Sequence, residues 1–445
     1  MSPALTLALA QQRLERGERR EALVQDALAR SQSPQAASVF TALRSASALA
    51  AARLADARPS GHALQGLPVT VKDLFDIEGE VTRAGSIVRR DAPPAVRDAD
   101  AVARLRSVGC AILGRTNMSE FAFSGVGLNP HFGTPRNPCD AAVHRVPGGS
   151  SSGAAVSVAL GLAVAGLGSD TGGSLRIPAA LCGLVGFKPT QRRVSRRGAF
   201  ELSRTLDSVG AITHQVADAL AIDAVLADVA LSPVPVSLRG LRLAVAQSVM
   251  LDGLDADVAR AFDRALACLR DAGATLVDAP LSTFAEIPAL NAPGGFSATE
   301  AYAVHRHHLD TRRSEFDPRV AARIEPGRHI SAADYLQLHD RRRDWIGRTE
   351  AALQGFDAFI GPTVPIVAPP LQPMLDDDAT FFAINGQLLR NTFVVNYLDG
   401  CSFSLPCQRP GDMPVGLMLS STRGRDAALA GIALAIEAAL TRAAR

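Results

Sequence analysis

The feature that most constrains this chain is an alternation. Short runs of strand texture recur between helical segments that carry their own start and stop signals. "LPVTVKDLFDI" (67–77) has the Val/Thr/Val pattern of a strand. "DADAVARLRSVG" (98–109) opens on Asp and stops on Gly, as helices do, and "CAILG" (110–114) reads as a buried strand. "VAGLGSD" (164–170) is a strand running into a glycine loop. The segment 241–279 repeats the unit as strand "LRLAVAQ", helix "DADVARAFDRALACLRDAG" and strand "ATLVDA". "FDAFIGP" (356–362), "PVGLMLSS" (414–421) and a last helix over 426–442 complete the outline. Strands alternating with helices predict an α/β fold whose sheet is covered by helices on both faces.

The organisation around that sheet is read more coarsely. Residues 5–56 read as two or three helices, so an N-terminal helical segment (1–60) is expected to pack on the sheet. No Pro/Ser-rich linker divides the 445 residues, and a single domain over 1–445 is expected. The stretch from about 283 to 350 is more polar, richer in His and Arg, and helical, which suggests a lobe beside the sheet near the substrate pocket.

Composition then excludes several function classes. With 46 Lys+Arg against 44 Asp+Glu, the charge is too balanced to suggest a nucleic-acid partner. The cysteines form no CxxC pair, so neither a zinc site nor a disulfide framework is expected, and buried thiols in a reducing cytoplasm fit better. The N-terminal apolar run lacks the charge-first order of a signal peptide, and no stretch reads as a membrane span.

Two Gly/Ser segments and one lysine carry the chemistry. "RVPGGSSSGAAVSV" (145–158) places three hydroxyls ahead of a helix that is apolar nearly all round. Taken alone it reads either as a flexible Gly/Ser connection or as a place where one hydroxyl handles protons. "GSDTGGSLRIP" (168–178) sets Ser174 after two glycines at the end of a strand. Glycines there let successive N–H groups turn toward an anion, although a plain tight turn has the same sequence. "GSSSG" (149–153) matches a nucleophile elbow only formally, because "DAAVHRVPG" is a poor feeding strand and no histidine sits in a suitable context. The other candidate base is Lys72. A lysine inside an apolar strand is either an edge residue facing solvent or a buried amine with a lowered pKa.

Together these segments resemble the amidase signature family. "GLPVTVKDLFDIEG" (66–79), "RVPGGSSSG" (145–153) and "GSDTGGSLRIPAALCGLVGFKPT" (168–190) match its pattern, and the interval from Ser150 to Ser174 agrees with its spacing. "GRTNMSEFA" (114–122), "TLDSVG" (205–210) and "MPVGLML" (413–419) extend the match. The resemblance implies a central mixed β-sheet and a Ser–cis-Ser–Lys triad. Ser174 would be the nucleophile, Ser150, on a cis peptide bond, the bridge, and Lys72 the base. The N–H groups of Thr171, Gly172, Gly173 and Ser174 would form the oxyanion hole. Hydrolysis of a carboxylic amide through an acyl-enzyme would then need no metal and no organic cofactor.

Substrate choice is expected from "FAFSGVGLN" (121–129), "NAPGGFSATEAY" (291–302) and "NYLDGCSF" (396–403), with Phe123, Gly125, Phe296 and Tyr397 as pocket candidates. Ser151 and Ser152 are expected to serve the turn and cap the following helix. Arg176 is read as structural, and "HRHH" (305–308) as a surface or pocket-lining helix rather than a metal pair. The expected partner is a small-molecule amide, with a homodimer as the oligomeric option and neither nucleic acid nor membrane. Two other readings stand beside the stand-alone amidase. One is the amidase component of a tRNA-dependent amidotransferase, against which stands "QRRVSRRGAF" where that component carries a Tyr-Gly-Arg run. The other is a non-catalytic, ligand-binding scaffold, against which stands the intact triad.

Overall fold

Eleven strands hydrogen-bond into one mixed sheet in the computed structural model, which describes residues 4–292 and 294–443. In chain order they are β1 (Phe40–Leu43), β2 (Pro68–Lys72), β3 (Ala111–Thr116), β4 (Ala165–Asp170), β5 (Val185–Lys188) and β6 (Ser208–Thr213). These are followed by β7 (Arg242–Ala246), β8 (Thr275–Ala279), β9 (Ala358–Pro362), β10 (Cys401–Pro406) and β11 (Gly416–Ser421). Their spatial order is β1-β3-β2-β4-β6-β5-β10-β11-β9-β7-β8. The β3/β2/β4 and β9/β7/β8 groups are parallel, and the strands between β4 and β9 run antiparallel.

Strands β2, β3 and β4 are buried along their whole length, as strands covered on both faces must be. The helix Ser152–Ala159 lies against β4 so closely that a Cβ on Gly166 would stand 2.8 Å from the Ala154 carbonyl oxygen. That contact requires glycine. One part of the core gathers Val69, Val71, Ile112 and Leu167 around β2–β4. A second gathers Phe187, Phe403 and Leu417 around the antiparallel strands, with the Phe187 and Phe403 rings stacked at 4.2 Å.

Three differences from the sequence reading have local causes. Strand β2 stops at Lys72 instead of running to 77, because the Phe75 N–H turns back onto the Lys72 carbonyl at 3.1 Å. Residues 5–56 hold the helices Leu7–Glu15, Arg20–Arg30 and Ser45–Ala57, but also β1, which pairs antiparallel with β3 at the sheet edge. Four residues stabilised by a partner strand leave little periodicity of their own. The segment "SGAAVSVALGLA" (152–163) has the length and apolar texture of one buried helix, but the helix ends at Ala159, with Gly161 in the left-handed region just beyond. Between residues 282 and 352 every described element is helical, the longest being Gly295–Arg312 and Ala332–Ala352.

Candidate active site

The site assembles where parallel neighbours β2 and β4 end side by side. Their register pairs Val71 with Leu167, so Lys72, the last residue of β2, comes to lie beside the end of β4. Lys72 is fully buried, and its Nζ lies 2.7 Å from Ser150 Oγ and 2.9 Å from Ser169 Oγ. Among the described residues no carboxylate forms an ion pair with it. Burial therefore dominates and pushes the amine down to about 7, against a weaker upward pull from Asp170 and Asp207.

The serine triplet is ordered and buried, not a linker. The peptide bond Gly149–Ser150 is cis. The Gly149 N–H donates to the Gly125 carbonyl at 2.7 Å, and the Ser119 N–H donates to the Ser150 carbonyl at 3.1 Å, which fix the bend from both sides. Ser151 and Ser152 do not cap the helix through their side chains. The Ser151 hydroxyl donates to the Ser169 carbonyl at 3.4 Å and the Ser152 hydroxyl to the Asn117 carbonyl at 3.3 Å, which ties the triplet to β4 and to the segment after β3.

The glycine loop after β4 is shaped by Asp170. Its carboxylate accepts from the Gly173 N–H (2.8 Å) and the Leu175 N–H (3.1 Å). Arg176 grips the same carboxylate through Nε (3.0 Å) and Nη2 (2.9 Å), and Asn396 Nδ2 adds a bond at 2.8 Å. Burial pushes the Asp170 carboxyl up, but the Arg176 guanidinium together with Lys188 and Asn396 more than offsets it and holds the group at about 2. Arg176 is fully buried and also donates to Asn396 Oδ1 at 2.6 Å, so it is committed to the fold. Asp207 anchors the loop from the other side, accepting from the Thr171 hydroxyl at 2.6 Å. Gly173 has φ +135, and a Cβ there would collide with Thr392 Oγ1, so the turn is restricted to glycine.

These bonds revise the expected oxyanion donors. The Gly173 N–H is spent on Asp170 and is not free to meet a ligand. The N–H groups of Thr171, Gly172 and Ser174 carry no such bond among the described residues. Ser174 is 3% exposed, and its carbonyl accepts from the Ser151 N–H at 3.3 Å. No hydrogen bond joins the Ser150 and Ser174 hydroxyls in this structure; the two segments meet through the backbone.

Beside the loop opens a cavity of about 680 Å³, within the range of small-ligand sites. Leu389 and Phe393 belong to its wall, and each has a carbon 3.3 Å from where a Cβ on Gly172 would stand. Of the four pocket candidates only Phe123 lines this cavity. Gly125 lies behind the wall, beside Ile177 and Leu389, and its N–H donates to Asn385 Oδ1 at 2.9 Å. Phe296 and Tyr397 are fully buried, packed against each other and against His339 and Trp345. Aromatic content pointed to them, but their rings face the core.

Sequence reasoning missed Ser169, Asp170 and Asn396. The register that pairs Val71 with Leu167 leaves Ser169 two residues further along β4, where its hydroxyl meets Lys72, and nothing local in the sequence marks Ser169 or Asn396. His305 lies buried against Phe121, Phe200 and Phe316, and burial pushes its imidazole down to about 3. No group of His, Cys, Asp and Glu among the described residues is placed to hold a metal.

The Amidase family profile matches residues 22–430. A 2-amino-5-chloromuconic acid deaminase from Comamonas testosteroni is 37% identical over 385 residues, 84% of this chain and 82% of that protein. A glutamyl-tRNA(Gln) amidotransferase component from Oleidesulfovibrio alaskensis is 33% identical over 441 residues, 90% of each chain. A solved amidase structure superposes with a TM-score of 0.86 at 32% identity, covering 97% of this chain and 99% of that one. With a profile spanning most of its length and relatives of this coverage, the chain belongs to the amidase signature family.

Proposed function

We propose that the whole chain acts as one amidase unit, hydrolysing a carboxylic amide to a carboxylate and ammonia or an amine, with Ser174 as nucleophile, Ser150 as bridge and Lys72 as base. The observation that carries this reading is the buried Lys72 amine, 2.7 Å from Ser150 Oγ and without an ion-pair partner among the described residues. An amine held near 7 is neutral in a large fraction of molecules at neutral pH, and only the neutral amine accepts a proton.

Neutral Lys72 takes the proton of Ser150 while Ser150 takes that of Ser174, whose Oγ attacks the amide carbon. The carbonyl oxygen becomes an oxyanion facing the free N–H groups of Thr171, Gly172 and Ser174. As the C–N bond breaks, the proton returns through Ser150 to the departing nitrogen, leaving an acyl-enzyme on Ser174. Water then attacks the ester carbon, its proton follows the same relay, and cleavage of the Ser174 ester bond releases the acid. The Ser150 and Ser174 hydroxyls must approach for this transfer, as catalytic hydrogen bonds commonly do when substrate binds. The six free cysteines support a reducing, cytoplasmic setting, and no described helix is long and apolar enough to cross a membrane. The working unit is the chain itself, alone or as a homodimer.

Release of ammonia or amine from a library of primary and secondary amides tests the proposal. Turnover by the wild type and none by Ser174→Ala is expected. Equal turnover by both would remove Ser174 from the chemistry.

A further inference from the structure

Glu300 is a buried carboxylate on the helix Gly295–Arg312, two residues beyond Ala298, which lines the cavity. Two residues on a helix face nearly opposite ways, so Glu300 looks away from the cavity and toward the sheet. It accepts from the hydroxyls of Ser203 and Thr205, from the Thr205 N–H at 3.0 Å, and from the Tyr335 hydroxyl of the helix Ala332–Ala352 at 2.5 Å. All four of these donors are neutral.

Three of those bonds fasten a tight turn. The Asp207 N–H closes it on the Ser203 carbonyl at 2.9 Å, and the Asp207 carboxylate accepts from the Leu202 N–H (2.9 Å) and the Ser203 N–H (3.0 Å). The same carboxylate takes the Thr171 hydroxyl at 2.6 Å. A chain of bonds therefore runs from the helices Gly295–Arg312 and Ala332–Ala352 through residues 203–207 to Thr171, and both of its junctions are carboxylates, which make strong hydrogen bonds. A backbone donor serves an oxyanion best when it is fixed before the charge develops. Resting on the reading of the Thr171 N–H as an oxyanion donor, we propose that Glu300 is a positioning residue: through the 203–207 turn and Asp207 it sets Thr171, and so ties a helix that walls the cavity to a donor that meets the reaction's charge. Mere docking of the helices on the sheet would use the same bonds, but its loss would change stability and ligand binding rather than the chemical step.

The test is a double-mutant cycle on the labelling of Ser174 by a small neutral fluorophosphonate, whose phosphoryl oxygen takes the place of the oxyanion. Saturation with the probe separates its binding from the limiting rate of the chemical step. Glu300→Gln keeps the size of the side chain but turns N–H groups toward donors. It is expected to lower the limiting rate about tenfold, the scale of one hydrogen bond to a charged group, with the half-saturating concentration unchanged. Thr171→Val removes the hydroxyl that Asp207 holds and is expected to lower the limiting rate at least as much. Placed on Thr171→Val, Glu300→Gln should cost less than about twofold more, because the chain of bonds is already cut. The same factor in both backgrounds, or a loss confined to probe binding, overturns the proposal. If Glu300→Gln does not fold, Thr205→Val carries the same cycle, and an undiminished factor there is equally contrary. A Thr171→Val protein that labels at the wild-type limiting rate instead overturns the donor reading beneath the proposal, and failure of the wild type to label at Ser174 overturns the nucleophile assignment.

Discussion

The Lys72 amine and the Ser150 hydroxyl lie 2.7 Å apart in full burial, and no acid forms an ion pair with the amine among the described residues. A lysine so placed contributes nothing to stability that a methionine could not, since it carries the cost of desolvation without an ion pair. In the proposed mechanism its value lies in accepting a proton. Lys72→Ala is expected to lower kcat by about 10²–10⁴-fold, the usual reach of general base catalysis, while the protein stays folded. Steady-state kinetics beside a thermal melt checks both halves.

The pH dependence has a definite sign. Burial lowers the Lys72 pKa to about 7, and the neutral form is the base, so kcat should fall as pH drops through about 7. Stability runs the same way through this group. Between about 7 and the ordinary value of 10.5, the unfolded chain holds a proton on Lys72 that the folded chain has lost. Folding stability attributable to this residue therefore rises with pH across that window. Lys72→Met should remove that component, and denaturant melts at several pH values measure it.

Ser169 is expected to act as a positioning residue for the base. Its hydroxyl lies 2.9 Å from Lys72 Nζ, and an acceptor there favours the charged amine. Ser169→Ala should lower kcat about tenfold, the scale of one hydrogen bond to a charged group, and move the acidic limb to lower pH. Ser169→Thr should restore both. A loss of activity with an unmoved limb would make the role purely structural.

The Asp170–Arg176 pair should behave as a buried unit. Asp170→Asn leaves the fully buried Arg176 without its counter-charge and is expected to cost about 3–5 kcal/mol. Asp170 is held at about 2, below its ordinary 3.8, so the stability it contributes is complete above 3.8 and lost as pH falls toward 2. Because the same carboxylate binds the Gly173 and Leu175 N–H groups, activity should fall further than the lost stability explains. Chemical denaturation and single-turnover kinetics separate the two effects.

Much of this was legible in the sequence, for physical reasons that differ by residue. Lys72 stood out because an ionisable group in a Val/Thr/Val strand is costly, and Ser174 because paired glycines at a strand end expose backbone donors. The alternation of strands and helices was enough for the α/β class. Strands β1, β5, β6 and β10 left weaker traces because they are short or stabilised mainly by antiparallel neighbours. The pocket was read least well. Phe296 and Tyr397 look like binding residues by type, yet which side of a helix faces a cavity depends on packing between distant segments. Arg390, on the helix Asp378–Leu398, lines the cavity only once that helix lies against the Gly172 loop.

The proposed mechanism makes Ser174 the nucleophile and Lys72 its ultimate base. Covalent labelling by a neutral fluorophosphonate, mapped by mass spectrometry, addresses it most directly. The expected result is a single adduct on the peptide carrying Ser174, none in Ser174→Ala, and labelling slowed at least about a hundredfold in Lys72→Ala. An adduct on another residue, or labelling at the wild-type rate in either variant, would contradict it.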